Sequence, residues 1–520
     1  MNRYLVVPLT RLTLAALLLA VVPLVAAAGT QPASTDRLRF TVTITPELAA
    51  GGQVSGRLFV FLSKDANAQG VLGPDFMDPS VTYATAIEVR NLVPGAPVAV
   101  DPDVLAVPAP FSKAPAGDYR VQALLDVDHS YGYSGPGSGD LCSEIALATA
   151  LDPSAAEPIA LTLSKRLADP EPASTDSIRL LTFESPALTA FWGRPIAMRA
   201  GVLLPPSYAT APKRRYPTLY MIHGYGGSHR GAWRQGPVWQ KQMADGTLPE
   251  MIIVFLDGSC PMGHHEFADS ANNGPWGRAL TTELIPHLEK QFRMDGVPKG
   301  RFLNGHSSGG WSTLWLQVTY PDFFGGTWST SPDPVDLRSF TGVDTTKPAT
   351  ENFYRAADGT ERNLVRHQGR NVLSMRQYVQ LERVSGDYGG QMESFEAVWS
   401  PKGEDGRPMQ LFDRDTGALD PVVAKAWERY DIARILETNW ARLGPKLKGK
   451  IYMAVGGADT FHLDESTVLL RDRLAKLGSD ARFVVVPGRD HFDLYQPGFF
   501  ESMVKEMYAR ARPAAKAAGR

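Results

Sequence analysis

In the stretch RFLNGHSSGGWSTLWLQ, Arg301 to Gln317, Ser307 stands two positions from Gly305 and two from Gly309, where an apolar run gives way to a helical one. A serine hydroxyl is a weak nucleophile at neutral pH and needs a base to take its proton as the new bond forms. A sharp turn from strand to helix would push that hydroxyl clear of a sheet, and the flanking glycines leave room for backbone to pass closely. Composition alone does not carry the reading. The segment GYSGPGSGD, Gly132 to Asp140, has the same letters but no strand before it and no helix after it.

The base must come from one of ten histidines. His491, in VVVPGRDHFDLY, follows the last apolar run, where a loop can return it to Ser307. His306 is too near in the chain to reach back. His264 and His265 precede the serine, whereas the order expected for such a site is serine, acid, histidine. The acid expected is Asp459, at the end of IYMAVGGAD, which can accept the Nδ1 proton of His491 and stabilise the imidazolium that forms. Asp333 and Asp336 are the alternatives, Asp464 reads as a helix N-cap, and Asp490 reads as a residue that shapes the His491 loop. Two backbone donors are needed for the oxyanion of a tetrahedral intermediate. They are expected at Ser308, after the nucleophile, and at Tyr225 in the loop HGYGG, with Gly224 as the alternative.

Other patterns carry less. His264–His265–Glu266 lacks the helical spacing of a zinc protease and reads as a loop lining, and no glycine-rich nucleotide loop follows a strand. No metal and no cofactor are therefore expected. The sequence does not assign His462. With 53 basic and 55 acidic side chains, no excess charge calls for nucleic acid or an anionic membrane surface. Cys142 and Cys260 are too few for a disulfide framework, although in an oxidising compartment they could pair.

The elements that must position these residues change character along the chain. Residues 1–28 read as a cleavable signal peptide, with Arg3 and Arg11 flanking an apolar run that ends in Ala26, Ala27 and Ala28. This implies a periplasmic or secreted protein. Short apolar runs between Pro and Gly clusters suggest an all-β, immunoglobulin-like sandwich over 30–166, and LADPEPASTDS reads as a linker over 167–177. From 178 to 511 continuous apolar runs alternate with helical periods, the pattern of an α/β fold with a mostly parallel sheet. One such period places Leu280, Leu284, Leu288 and Phe292 on a single face. The polar stretch 332–430 interrupts the rhythm and reads as an insertion or lid, with Trp399, Phe412 and Trp427 as apolar anchors.

Taken together, YPTLYMIHGYGGS, SANNGPWGRALTTELIPHLEKQFR, RFLNGHSSGGWSTLWLQVTYPDFFG and the GADTF and GRDHF segments resemble the "putative esterase" family of α/β-hydrolases. That family includes enterochelin esterases, feruloyl esterases, S-formylglutathione hydrolases and mycolyltransferases. The resemblance implies Ser307 as nucleophile, Asp459 as acid and His491 as base, acting on a small-molecule or glycan ester. An acyltransferase using the same groups, or a binding protein with a vestigial site, are the competing expectations.

Overall fold

The computed structural model describes residues 37–49 and 52–513. The expected signal peptide lies outside the described residues.

Nine strands between Phe40 and Arg166 form one hydrogen-bonded sheet. The strand Val54–Ser63 shows how its faces are used. Leu58, Val60 and Leu62 enter a core with Phe40, Val42, Leu161 and Leu163, while the alternate residues Phe59 and Phe61 enter a second cluster with Val384 and Leu381. Side chains alternate across a strand, so a strand with both faces covered reads as an unbroken apolar run. The second cover comes from the helix Met375–Ser385 of the insertion, whose last carbonyls at Arg383 and Val384 accept hydrogen bonds from buried Arg57. By its hydrogen bonds the amino-terminal region forms one continuous ladder of strands, and residues of strands far apart in its order, Phe40 and Leu58, share one core.

The second sheet is built from β1 (Ile178–Glu184), β2 (Ala197–Leu203), β3 (Thr218–Ile222), β4 (Ile252–Leu256), β5 (Arg301–His306), β6 (Gly326–Thr330), β7 (Ile451–Gly456) and β8 (Arg482–Val486). Its order is β1-β2-β4-β3-β5-β6-β7-β8. The pairings β1·β2 and β2·β4 are antiparallel, and every pairing from β4 to β8 is parallel. Leu280, Leu284, Leu288 and Phe292 are all buried against Tyr220, Ile222 and Val254, which fixes the preceding helix on one face. Pro286 supplies no N–H within it, and the turns Leu280–Leu284 just before are π-helical.

The stretch 332–430 is more ordered than its polarity suggested. It holds a hairpin, Asn363–His367 with Arg370–Ser374, and the helices Met375–Ser385, Gln391–Trp399 and Pro421–Trp427. Phe340, Phe353, Phe395, Trp399, Phe412 and Trp427 pack into one cluster with Trp311 and Leu314 of the helix that follows Ser307. The insertion is therefore a packed layer on the helix that follows Ser307. Cys142 and Cys260 are both free thiols.

Candidate active site

Between β5 and the helix Ser308–Thr319, Ser307 adopts φ 58 and ψ −126, a conformation that is costly for any residue with a β-carbon. The glycines on either side make the corner feasible. A β-carbon on Gly305 would lie 2.2 Å from the Gly309 carbonyl oxygen, and one on Gly309 would lie 2.0 Å from that of Ile222. The chain folds back on itself too tightly for anything larger. The helix that starts here directs its free N–H groups toward the serine.

Asp459 follows β7 and is fully buried, and its Oδ2 lies 2.9 Å from Nδ1 of His491. Its other oxygen accepts the Phe461 amide at 2.9 Å. Burial pushes this carboxyl up, but the charge and hydrogen bond of His491, with the Phe461 amide, hold it below the usual aspartate value. The imidazole is packed between the rings of His306 and Phe461, with centroids 4.5 and 4.9 Å away. Asp490 accepts the amides of Phe492 and Asp493 and so ties the loop that carries His491.

The other carboxylates sort themselves by position. Asp336 caps the turn Leu337–Ser339 and pairs with Arg338 and Arg473. Asp464 is not the N-cap that its sequence position suggested. His462 occupies that place with φ 63, and Asp464 sits in the first turn, bonded to Arg366 at 2.6 Å. His462 itself lies 3.4 Å from Glu465.

Asp333 has a different surrounding. Among the described residues it is the one hydrogen-bond partner of the Ser307 hydroxyl, with Oγ 3.4 Å from Oδ1. Its Oδ2 accepts the Ser308 hydroxyl at 2.6 Å and the Gln391 amide at 3.1 Å. Burial, together with the charge of Glu266, raises the Asp333 carboxyl to about 7. Ser307 and His491 line the same pocket, and the serine hydroxyl is turned toward Asp333 within it.

The loop after β3 runs along the other side of the serine. A β-carbon on Gly224 would sit 3.2 Å from Cβ of Ser307, so this backbone passes in contact with the corner. Among the described residues, the amides of Ser308 and Tyr225 have no hydrogen-bond acceptor. The Tyr225 hydroxyl meets the carbonyls of Gly132 and Gly389, the latter at 2.6 Å. Tyr133 donates to the Gly227 carbonyl at 3.1 Å. Gly132 and Tyr133 belong to GYSGPGSGD, which props the loop that passes Ser307.

Behind that loop is a buried polar group that corrects the expected loop lining. His264, His265 and Glu266 are fully buried. His265 stacks on Trp276 at 3.7 Å, and Glu266 accepts the Ser312 hydroxyl at 2.7 Å. Burial raises Glu266 to about 8 and lowers His264 to about 4. His223 accepts the Gly258 amide at Nε2, which leaves Nδ1–H to donate to the Gly224 carbonyl at 2.8 Å.

A pocket of about 420 Å³ opens at Ser307 and His491, walled by Leu364, Met392, Phe395, Phe461, Phe492 and Phe76. Phe76 comes from the amino-terminal region and lies 6.1 Å from Phe461 and 6.2 Å from Phe492, centroid to centroid. Neither Phe76 nor Gln391 carries a sequence pattern that would have marked it. A larger crevice, about 1010 Å³, lies beyond Gly226 and Gly227, includes Arg199, Arg230, Asp257 and Asp387 in its lining, and contains neither Ser307 nor His491.

A sheet in this order, five parallel pairings long, with a serine on a strained corner between β5 and its helix, defines an α/β-hydrolase fold. The family model described as "Putative esterase" matches residues 195–496, more than half of the chain, and the chain belongs to that family. It is 29% identical over 133 residues, 24% of this chain and 18% of the relative, to an endo-1,4-beta-xylanase/feruloyl esterase of Xylanibacter ruminicola. It is 31% identical over 144 residues, 27% of this chain and 30% of the relative, to esterase Rv1288 of Mycobacterium tuberculosis. The chain thus spans less than a third of either relative's length. Among solved structures, it is similar to a ferulic acid esterase at 15% identity and TM-score 0.41, covering 63% of this chain and 94% of that one. An S-formylglutathione hydrolase from Agrobacterium tumefaciens gives 17% identity and TM-score 0.38, covering 65% and 96%.

Proposed function

We propose that the protein is an exported serine hydrolase that cleaves a carboxylic ester through an acyl-Ser307 intermediate. The observation that carries this reading is the buried His491–Asp459 pair opening on the same pocket as a serine held at a strained corner. This reading requires the Ser307 hydroxyl to turn from Asp333 toward His491, which lines the same pocket. Catalytic hydrogen bonds commonly tighten only when substrate binds.

His491 would then take the proton as Oγ attacks the ester carbonyl, with the charge on the imidazole stabilised by Asp459. The amides of Ser308 and Tyr225 receive the developing oxyanion. His491 returns the proton to the leaving alcohol, activates water, and the acid is released. No step needs a metal or cofactor. The largely apolar pocket suits an acyl group with a bulky apolar part, borne on a small molecule or a glycan. Export follows from reading Met1–Ala28 as a cleaved leader, and the amino-terminal sheet, read as an immunoglobulin-like accessory domain, borders the site through Phe76.

Replacing Ser307 with alanine should abolish turnover of p-nitrophenyl butyrate and labelling by a fluorophosphonate, with the melting temperature nearly unchanged. Turnover retained in the folded variant would end this reading.

A further inference from the structure

The pocket at Ser307 is apolar on most sides, yet it holds a carboxyl beside the nucleophile that the mechanism above does not use. Asp333 is 4% exposed, and its two oxygens are not equally engaged. Oδ2 accepts two hydrogen bonds, from Ser308 Oγ at 2.6 Å and from Gln391 Nε2 at 3.1 Å. Among the described residues Oδ1 has only the Ser307 hydroxyl, at 3.4 Å, and that contact is lost once Ser307 turns to His491 or becomes acylated. A buried carboxyl oxygen without a partner is costly, so the acyl-enzyme gains if the substrate supplies one.

The position limits what that partner can be. In an acyl-enzyme, an oxygen on the α-carbon of the acyl group is three bonds from Oγ, and one on the β-carbon is four. Either can come within hydrogen-bonding distance of an atom that itself lies 3.4 Å from Oγ. A hydroxyl both donates and accepts, and so suits the carboxyl whether or not it is protonated. Burial and the charge of Glu266 raise the carboxyl to about 7, while the Ser308 hydroxyl and His491 oppose the rise. Gln391 comes from the insertion and clamps Oδ2, which fixes the carboxyl plane and leaves Oδ1 facing the serine.

We infer that Asp333 Oδ1 forms a polar subsite for a hydroxyl on the α- or β-carbon of the acyl group, so that the preferred substrates are esters of 2- or 3-hydroxy acids. This rests on the serine-hydrolase reading of Ser307.

The test compares kcat/KM for ethyl butyrate, ethyl 2-hydroxybutyrate and ethyl 3-hydroxybutyrate, each divided by its rate of hydrolysis by hydroxide to remove intrinsic reactivity. At least one hydroxy ester should be preferred by about tenfold in the wild-type protein. Asp333→Leu should remove the preference, and Asp333→Asn, which can still donate and accept, should keep part of it. Absence of a preference in the wild-type protein overturns the subsite even if Asp333→Leu does not fold. A preference unchanged in either variant overturns it as well. If no ester is turned over and a fluorophosphonate fails to label Ser307, the serine-hydrolase reading falls and the subsite with it. Ordinary labelling with no hydroxyl preference defeats the subsite alone.

Discussion

His491 Nδ1 lies 2.9 Å from Asp459 Oδ2, and both side chains are almost wholly buried, although 32 positions separate them in the chain. The carboxylate fixes the ring so that Nδ1 carries the proton, and on the proposed mechanism Nε2 is then the base.

Asp459→Asn should therefore hold the imidazole in place in the wrong tautomer. We expect kcat for p-nitrophenyl butyrate to fall by roughly three to four powers of ten with KM little changed. A loss of less than tenfold, measured in the folded variant, would assign the acid elsewhere.

Phe76 reaches the pocket from the amino-terminal region, so the first part of the chain should influence which acyl groups are accepted. Phe76→Ala should lower kcat/KM for p-nitrophenyl octanoate by about tenfold, equivalent to about 1.4 kcal/mol of lost apolar contact, and leave p-nitrophenyl acetate within about twofold. Equal effects on both esters would mean that Phe76 does not touch the acyl chain.

Trp399 is buried among Phe340, Phe395, Trp311 and Trp427, in a cluster shared by the insertion and the helix after Ser307. Trp399→Ala should cost about 3–5 kcal/mol in urea unfolding, with the insertion and the sheet losing structure together. A separate early transition for the insertion would show that the layer is not part of the same core.

Glu266 gives the stability a definite slope with pH. Burial raises its folded value to about 8 from an ordinary 4.5, so the folded chain holds this proton more tightly than the unfolded one. The resulting stabilisation is complete below 4.5 and is lost as pH rises through about 8. The melting temperature should fall across that interval, and Glu266→Gln should flatten part of the descent. Asp333, also raised, supplies another part. An identical slope in the glutamine variant would mean that Glu266 does not hold its proton there.

Much of the architecture could be read from local pattern because its physical signatures are local. Continuous apolar runs such as TLYMI and IIVFL mark strands buried on both faces, and they are the central parallel strands β3 and β4. Leu280, Leu284, Leu288 and Phe292 mark a buried helical face for the same reason. The insertion was harder to read, since its apolar residues are scattered among polar turns and meet only in three dimensions. Asp464 shows the same limit on a small scale. Its spacing suits a cap, but His462, in a left-handed conformation, starts the helix two residues earlier.

By itself the sequence determined that a serine would stand at a strand-to-helix corner, because only glycine at 305 and 309 lets the backbone pass itself so closely, and steric exclusion between neighbours is written in residue type. It also placed a carboxylate and a histidine after the last two strands. Only the tertiary structure decided that Asp459 takes the imidazole while Asp333 takes the serine hydroxyl. It likewise decided that Phe76 and Gln391, from distant parts of the chain, line the pocket at Ser307, while Tyr133 bonds the Gly227 carbonyl of the loop beside it. Those choices depend on which loops the sheet order brings together, and pairing between strands far apart in sequence leaves no mark in any short window of residues.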